Sequence, residues 1–329
     1  MTVAKLTGEV RWGILGAARI AQASFLPGLR EAGGGRATLV ASRDKARAEA
    51  FAANQAVDKG VEGYQAVVES PDIDAVYVAL PNSHHADWTK RALEAGKAVL
   101  CEKPLCAGSE QTAAVLETAA ASGAPLWEAF VFPFQAQHRR LLSLLTGGAI
   151  GEIRELASSF HFSPSRPEDI RFSAELGGGC LADLGCYPIR LAQEVFSTRD
   201  PLPGDAAGFA THKGGVEIEV VAIVDYGGQQ LALSCGFSRA SDSLTRVLGT
   251  EGQIQLTNPF HPQPGDFLVM RRNGEETVES PTVDLRSFTA ALRHIHAVLR
   301  GEQEPEHLAA ESSFRTARTI EVVAEACSA

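Results

Sequence analysis

The sequence has little of what marks secreted, metal-binding or membrane-spanning chains. Its six cysteines, at positions 101, 106, 180, 186, 235 and 327, form no Cys-x-x-Cys pair, and such spacing suits neither a zinc knuckle nor a disulfide framework. No apolar run approaches the roughly 18–20 residues that span a bilayer, and the first residues lack the apolar core of a signal peptide. We therefore expect reduced cysteines in a cytoplasmic protein that does not enter a membrane.

Positive charge is also scarce, with 30 lysines and arginines against 40 acidic residues and a net charge of −10. A nucleic-acid-binding face needs a clustered basic surface, so we expect no nucleic-acid partner. A local pocket for a phosphorylated cofactor is still compatible with this charge. With 329 residues, 45% hydrophobic and 21% charged, the chain can form two domains and a large core.

The first half of the chain alternates between apolar strands and helical segments, which predicts a doubly wound parallel sheet of the α/β class. Expected strands are Val10–Leu15, Ala37–Ala41, Asp74–Leu80, Ala98–Cys101 and Leu126–Phe132. We place this first domain at residues 1–126.

From Glu152 the pattern changes to short strands with tight turns, which predicts an α+β second domain at 127–329 with a large, mostly antiparallel sheet. A hairpin is expected at Gly227-Gly228. The predicted strands are Ile153–Phe162, Ala207–His212, Val216–Tyr226, Gln229–Phe237, Thr245–Leu248 and Phe267–Arg271, and the predicted helices are Cys180–Phe196, Leu285–Leu299 and Leu308–Ala326.

A glycine turn joins the first strand to the first helix. The Gly-x-Gly-x-x-Gly/Ala fingerprint of dinucleotide-binding (Rossmann) domains falls on Gly16, Ala18 and Ala21,. Gly16 supplies the turn and Ala21 is small enough for close packing, whereas Ala18 adds a methyl group where the pyrophosphate approaches. The residues expected at the cofactor are Gly16, Ala17, Ala18, Arg19 and Ile20.

The second strand ends in Ser42, Arg43 and Asp44. NAD enzymes usually place an acid here for the ribose 2′-hydroxyl, but an arginine can clamp a phosphate through two parallel donors. We expect Ser42 and Arg43 to bind the 2′-phosphate of NADP. The alternative is that Ser42 caps the next helix and Arg43 is solvated; Asp44 keeps NAD possible.

Two further strands end in polar residues, at Leu80-Pro81-Asn82 followed by His85, and at Glu102-Lys103-Pro104. Ligands of open α/β sheets bind beyond the carboxyl ends of the strands, so both segments are expected at the cofactor. The alternative is a strand that ends in solvated charges. Ser83 is expected to cap the following helix. The His84-His85 pair lacks the carboxylates of a metal site, and no metal is predicted.

Together with two later motifs, these segments resemble the glucose–fructose oxidoreductase, inositol dehydrogenase and rhizopine catabolism family over nearly the whole chain. The later motifs are Gly177-Gly178-Gly179 and Asp183-Leu184-Gly185-Cys186-Tyr187. Trp12–Gly16, Tyr187 and Ile170-Arg171-Phe172 resemble the branch of NADP-dependent D-xylose dehydrogenases and dimeric dihydrodiol dehydrogenases.

The resemblance implies hydride transfer between NADP and a hydroxyl or carbonyl carbon of a sugar or related cyclic polyol. It also implies a homodimer or homotetramer built on the second-domain sheet. Two other functions stay open. One is a redox-neutral enzyme with tightly bound NAD(P), such as a sugar–sugar oxidoreductase or a glycosidase, and the other is a non-catalytic cofactor-binding regulator.

When a hydride is transferred to or from a carbon, a proton must move on the oxygen attached to that carbon. An acid/base group must therefore lie within about 3 Å of that oxygen. Free tyrosine titrates near 10, and a neighbouring ammonium lowers the pKa of the phenol. We expect Tyr187 to carry the proton and Lys103 to orient the hydroxyl, although the two roles could be exchanged.

Supporting roles fall to four other residues. Asp183, four positions before Tyr187, is expected to bind substrate or to anchor Lys103, the alternative being a structural acid at the helix start. Glu102 is expected at the nicotinamide ribose, unless it is solvated. Arg171 and Phe160 are expected to line the sugar pocket.

Overall fold

The computed structural model describes residues 6–164, 166, 168–196, 202–281 and 286–328, which form two compact units. The described residues of 1–106, 110–131 and 284–310 make up the first unit, and those of 107–109, 132–283 and 311–329 the second. This division differs from the single predicted boundary after residue 126, because a late helix packs in the first unit. A Cβ added at Gly28 would lie 2.7 Å from the Cβ of Phe288 in that helix.

The first unit contains a six-stranded, all-parallel sheet, as predicted. Its strands are β1 (Val10–Leu15), β2 (Gly35–Ser42), β3 (Lys59–Glu62), β4 (Ala75–Val78), β5 (Ala98–Cys101) and β6 (Leu126–Glu128). They lie in the order β3-β2-β1-β4-β5-β6, so the chain winds outward from β1 in both directions. The last predicted strand was too long, since β6 ends at Glu128.

Helices connect these strands along the chain. The first begins with a π-helical turn at Ala21–Phe25 and continues as α1 (Leu26–Ala32). The others are α2 (Lys45–Gln55), α3 (Gln65–Val68), α4 (His85–Glu94), which follows a 3₁₀ turn at Asn82–His84, and α5 (Ser109–Ser122).

An aromatic cluster fills the core of the first unit. Phe25 stacks on Tyr77 with ring centroids 4.0 Å apart, and Trp12 meets Phe25 edge-on at 5.3 Å. His296 donates from Nδ1 to the Gly33 carbonyl and accepts from Trp12 Nε1. Burial lowers the pKa of His296 to about 4, so the ring is neutral at pH 7 and its tautomer matches these two partners.

The second unit contains an eight-stranded sheet in which only the β7–β10 pair is parallel, which confirms the predicted mostly antiparallel fold. The strands are β7 (Ile153–His161), β8 (Ala206–Lys213), β9 (Val216–Asp225), β10 (Gln230–Gly236), β11 (Asp242–Gly249), β12 (Gly252–Thr257), β13 (Leu268–Arg272) and β14 (Glu275–Glu279). Their order is β14-β13-β12-β11-β7-β10-β9-β8. Gly227 and Gly228 form the predicted hairpin turn with φ of +67° and +98°.

The remaining helices are α6 (Ala136–Thr146), α7 (Cys186–Val195), which follows a π-helical turn at Leu181–Gly185, α8 (Ser287–Leu299) and α9 (Glu311–Ala326). In the second unit, α7 packs against β7 and β10. The opposite face of that sheet carries exposed apolar side chains on β8 and β9. In the part of the chain that the structure describes, no helix has the length and apolar character needed to cross a membrane.

Candidate active site

The glycine turn after β1 depends on a close approach between two strand ends. Gly16 has φ of +106°, and a Cβ at this position would lie 2.5 Å from the Ala79 carbonyl oxygen, which follows β4. Any other residue would therefore force the two strand ends apart. Ala21 is fully buried, as expected, whereas Arg19 and Ile20 are exposed at the turn.

After β2, the Arg43 side chain is exposed, whereas the Asp44 carboxylate is engaged in a hydrogen bond. The Asp44 carboxylate caps α2 by accepting a hydrogen bond from the Arg47 backbone N–H at 2.6 Å. Ser42 is buried and is not the cap residue, and Arg43 is exposed. Asp44 is therefore the N-cap residue of α2, and the Arg43 side chain is exposed beside it.

Arg47 is a candidate site residue that the sequence patterns did not single out. Its guanidinium Nη2 donates to the Ala17 carbonyl at 3.0 Å, so it connects α2 to the glycine turn. Its position in the first turn of α2, shortly after the predicted 2′-phosphate residues, could have indicated it.

His85 lies inside the unit rather than on the ligand side. It is fully buried, with Nδ1 2.8 Å from the Pro104 carbonyl oxygen and Nε2 2.9 Å from that of Leu80. The imidazole therefore lies between the segment after β4 and the segment after β5, with each ring nitrogen against a backbone carbonyl. Ser83 does not cap α4, whose N-cap residue is His84 without a side-chain bond.

Glu102 and Lys103 follow β5 at the same sheet edge, and both are half-buried. The Glu102 backbone N–H donates to the Val78 carbonyl at 3.0 Å, which places the residue beside the end of β4. Its carboxylate accepts from the Tyr77 hydroxyl at 2.5 Å. The glycine turn, Leu80-Pro81-Asn82 and Glu102-Lys103 therefore follow adjacent parallel strands.

In the second unit, Tyr187 belongs to an aromatic wall. The ring is buried at the start of α7 and meets Phe160 edge-on with centroids 5.3 Å apart. Phe260 lies 5.2 Å away and Phe132 6.3 Å away. Phe160, expected at the sugar pocket, thus packs directly on the predicted proton carrier.

His261 is a second residue that sequence patterns missed. Its ring meets those of Tyr187 and Phe160 edge-on, with centroids 5.5 and 5.9 Å apart. Nδ1 lies 2.5 Å from the Phe260 carbonyl oxygen. A carbonyl only accepts, so Nδ1 is the donor in this contact,. His261 lies in a proline-containing loop that has no periodicity to mark it.

Asp183 is held by Arg171, and both lie in the second unit. Arg171 Nε donates to Asp183 Oδ2 at 2.6 Å, and Nη1 donates to Asp169 Oδ1 at 3.1 Å. The triple-glycine motif permits this arrangement, since a Cβ at Gly178 would lie 2.4 Å from the Arg171 carbonyl oxygen. Arg171 therefore orients the Asp183 carboxylate. The sequence predicted only that Arg171 lines the sugar pocket.

The structure thus groups the predicted residues in two sets, with the cofactor set and Lys103 in the first unit, and Asp183, Tyr187, Arg171 and Phe160 in the second. The strand order of the first sheet and the glycine turn after its first strand define a dinucleotide-binding protein.

Comparison with known proteins identifies the family. Residues 10–130 match the model described as "Oxidoreductase family, NAD-binding Rossmann fold", and residues 138–255 match the "GFO/IDH/MocA C-terminal domain". The chain belongs to this oxidoreductase family, which confirms the resemblance noted in the motifs.

Two relatives illustrate its range. The chain is 35% identical over 325 residues to a dTDP-3,4-didehydro-2,6-dideoxy-α-D-glucose 3-reductase of Saccharopolyspora spinosa, covering 96% of this chain and 97% of the relative. It is 31% identical over 318 residues to an NADP⁺-dependent D-xylose 1-dehydrogenase of Haloferax volcanii, covering 95% and 96%.

A solved structure supports the same assignment. The chain is similar, with a TM-score of 0.87 and 33% identity over 96% of this chain and 97% of the other, to a 3-ketoreductase from Actinomadura kijaniata in complex with NADP and TDP-benzene. That ketoreductase has also been crystallised with a tyrosine changed to phenylalanine and with a lysine changed to alanine.

We expect His85 to stabilise the strand-end segments of the first unit. Burial lowers its pKa, so the neutral ring has one N–H to donate. His85→Leu leaves a buried carbonyl without its donor and should lower the free energy of unfolding by about 1–3 kcal/mol. Urea unfolding measures this change. The exposed neighbour His84 supplies the control. An equal loss of unfolding free energy in His84→Ala would contradict the assignment.

Proposed function

We propose that the chain is an NADP-dependent oxidoreductase that transfers a hydride between nicotinamide and a hydroxyl or carbonyl carbon of a sugar or related cyclic polyol. The observation that carries the proposal is the position of Glu102 and Lys103, which directly follow β5. In the sheet, β4 lies between β5 and β1, the strand that leads into the glycine turn. In open α/β sheets this edge is where the ligand binds.

The first unit fits the cofactor. Gly16 allows the tight turn after β1, and the turn residues through Ile20 would surround the pyrophosphate. Ser42 and Arg43 would hold the ribose 2′-phosphate, because the exposed guanidinium at the end of β2 can donate two parallel hydrogen bonds to a phosphate,. Leu80-Pro81-Asn82 and Glu102 would border the nicotinamide half. When bound, NADP supplies or accepts the hydride.

Proton transfer is assigned to Tyr187 and Lys103, acting on the same substrate oxygen. The phenol belongs to a wall of rings, and such an apolar surrounding alone would oppose its ionisation. An ammonium group beside the phenol would favour the ionised form. Asp183, oriented by Arg171, is proposed to accept a hydrogen bond from a substrate hydroxyl.

The substrate class is a sugar whose reacting centre is a secondary alcohol or ketone. Aromatic rings such as Phe160 suit the apolar C–H face of a sugar ring, and His261 adds a polar ring beside them. A nucleotide-linked keto sugar is a second candidate, favoured by the relatives that are named as dTDP-sugar 3-reductases.

The proton step predicts that Tyr187→Phe and Lys103→Met lose at least about 100-fold in kcat, since a positioned acid/base contributes about 10²–10⁴-fold. The assay follows NADPH across aldoses, polyols, dihydrodiols and dTDP-linked keto sugars. NADPH binding, measured separately, should persist in Tyr187→Phe. Near wild-type turnover in either variant would contradict that residue's role. Conversion of sugar without net change in NADPH would instead indicate a redox-neutral enzyme.

The 2′-phosphate assignment predicts that Arg43→Ala raises the KM for NADP at least about tenfold, since it removes a charge-assisted contact that contributes about 1.5–3 kcal/mol. The KM for NAD should change little. Arg36→Ala is the matched control, because Arg36 is an exposed arginine on the same strand that pairs with Asp58. Equal effects of Arg43→Ala on both cofactors would refute the assignment.

We also propose a homodimer or homotetramer formed through the open face of the second-unit sheet. Phe209 on β8 is 85% exposed and pairs with Val221 of β9, which is 44% exposed, while Ile223 is 52% exposed. Contiguous exposed apolar residues typically mark an interaction surface.

Charged substitutions on this face should therefore dissociate the assembly. In light scattering coupled to gel filtration, Phe209→Asp with Ile223→Asp should lower the mass to that of a smaller species. Ile20→Asp is the control, since Ile20 is an exposed isoleucine of the first unit. A monomeric wild-type protein, or an unchanged mass in the double variant, would contradict the interface.

A further inference from the structure

Tyr77 connects the buried core of the first unit to the carboxylate of Glu102. The residue lies on β4 and is fully buried. Its hydroxyl donates to Glu102 Oε1 at 2.5 Å, a length typical of a hydrogen bond from a hydroxyl to a charged carboxylate. An interior residue therefore sets the position of a side chain at the ligand edge of the sheet.

The tyrosine ring is itself held on more than one side. Phe25 stacks on it with an interplanar angle of 10°, and Phe288 meets it edge-on with centroids 5.9 Å apart. Phe25 belongs to the π-helical turn that follows the glycine turn. Because these contacts restrict the ring, the hydroxyl is a donor at a defined place rather than a mobile one.

The second oxygen of Glu102 is also engaged. Oε2 accepts from the backbone N–H of Lys103 at 3.3 Å, so the carboxylate is tethered at both oxygens in one orientation. A carboxylate oxygen can accept more than one hydrogen bond. The tethered group therefore retains the capacity to accept from hydroxyl groups of a ligand.

We propose that Tyr77 is a positioning residue that holds the Glu102 carboxylate in the orientation in which it accepts hydrogen bonds from the nicotinamide ribose. The inference rests on the proposed function, since it assigns NADP to this sheet edge. Tyr77 itself does not touch the cofactor. Its hydroxyl acts on cofactor affinity through Glu102.

The test measures the Kd of NADPH directly, by monitoring NADPH fluorescence in the absence of substrate. Tyr77→Phe keeps the ring and its stacking but removes the donor, and should raise the Kd about three- to tenfold, the upper value being about 1.4 kcal/mol. Tyr226→Phe is the matched control. Tyr226 is a buried tyrosine of the second unit whose hydroxyl bonds Thr319, and its loss should leave the Kd unchanged.

A double-mutant cycle distinguishes positioning from a general structural effect. In the Glu102→Ala background, Tyr77→Phe should raise the Kd by less than twofold, because the acceptor through which it acts is already absent,. The same rise in both backgrounds would overturn the inference. So would an unchanged Kd in Tyr77→Phe while wild-type protein binds NADPH. Wild-type protein that does not bind NADPH would overturn the proposed function as well.

Discussion

The close approach of β1 and β4 at their carboxyl ends is the constraint on which the first unit depends. A Cβ at Gly16 would lie 2.5 Å from the Ala79 carbonyl, closer than non-bonded heavy atoms can come. This glycine therefore serves the fold directly, since it lets the two strand ends pack against each other. It also forms the turn at which we propose that the dinucleotide binds.

Side-chain contacts then connect the neighbouring strand ends along one edge. The His85 ring lies between carbonyl groups of the segments after β4 and β5, and the Tyr77 hydroxyl donates to the Glu102 carboxylate. Arg47 reaches from α2 to the glycine turn. The second unit uses the same principle, since Arg171 fixes Asp183 near the start of α7. In both units a residue away from the ligand orients one proposed to face it.

The fold could be predicted wherever the hydrophobic pattern was strong. β4 and β5 are wholly buried strands and read as unbroken apolar runs. β3 and β14 gave no signal because they are short and polar, with sequences Lys-Gly-Val-Glu and Glu-Glu-Thr-Val-Glu. A strand of that kind forms only because a neighbour supplies its hydrogen-bond partners, which is information outside its own sequence.

The site was predictable in part for a similar reason. Residues directly after strands, such as Arg43 and Lys103, could be located from the strand ends alone. The burial of the His85 side chain could not be predicted in this way, because it depends on two carbonyl groups from neighbouring segments. The Tyr77–Glu102 bond joins residues 25 positions apart, and His261 lies in a loop without periodicity. Long-range partners of this kind follow from packing rather than from local pattern.

The proposed transfer of a hydride between nicotinamide and a sugar carbon is tested most directly in the direction of reduction. NADPH deuterated at C4 is prepared as each of the two epimers and incubated with keto sugars. Mass spectrometry should find one deuterium on the new carbinol carbon with one epimer and none with the other, in amounts equal to the NADP formed. Reduced sugar without deuterium from either epimer would contradict the account.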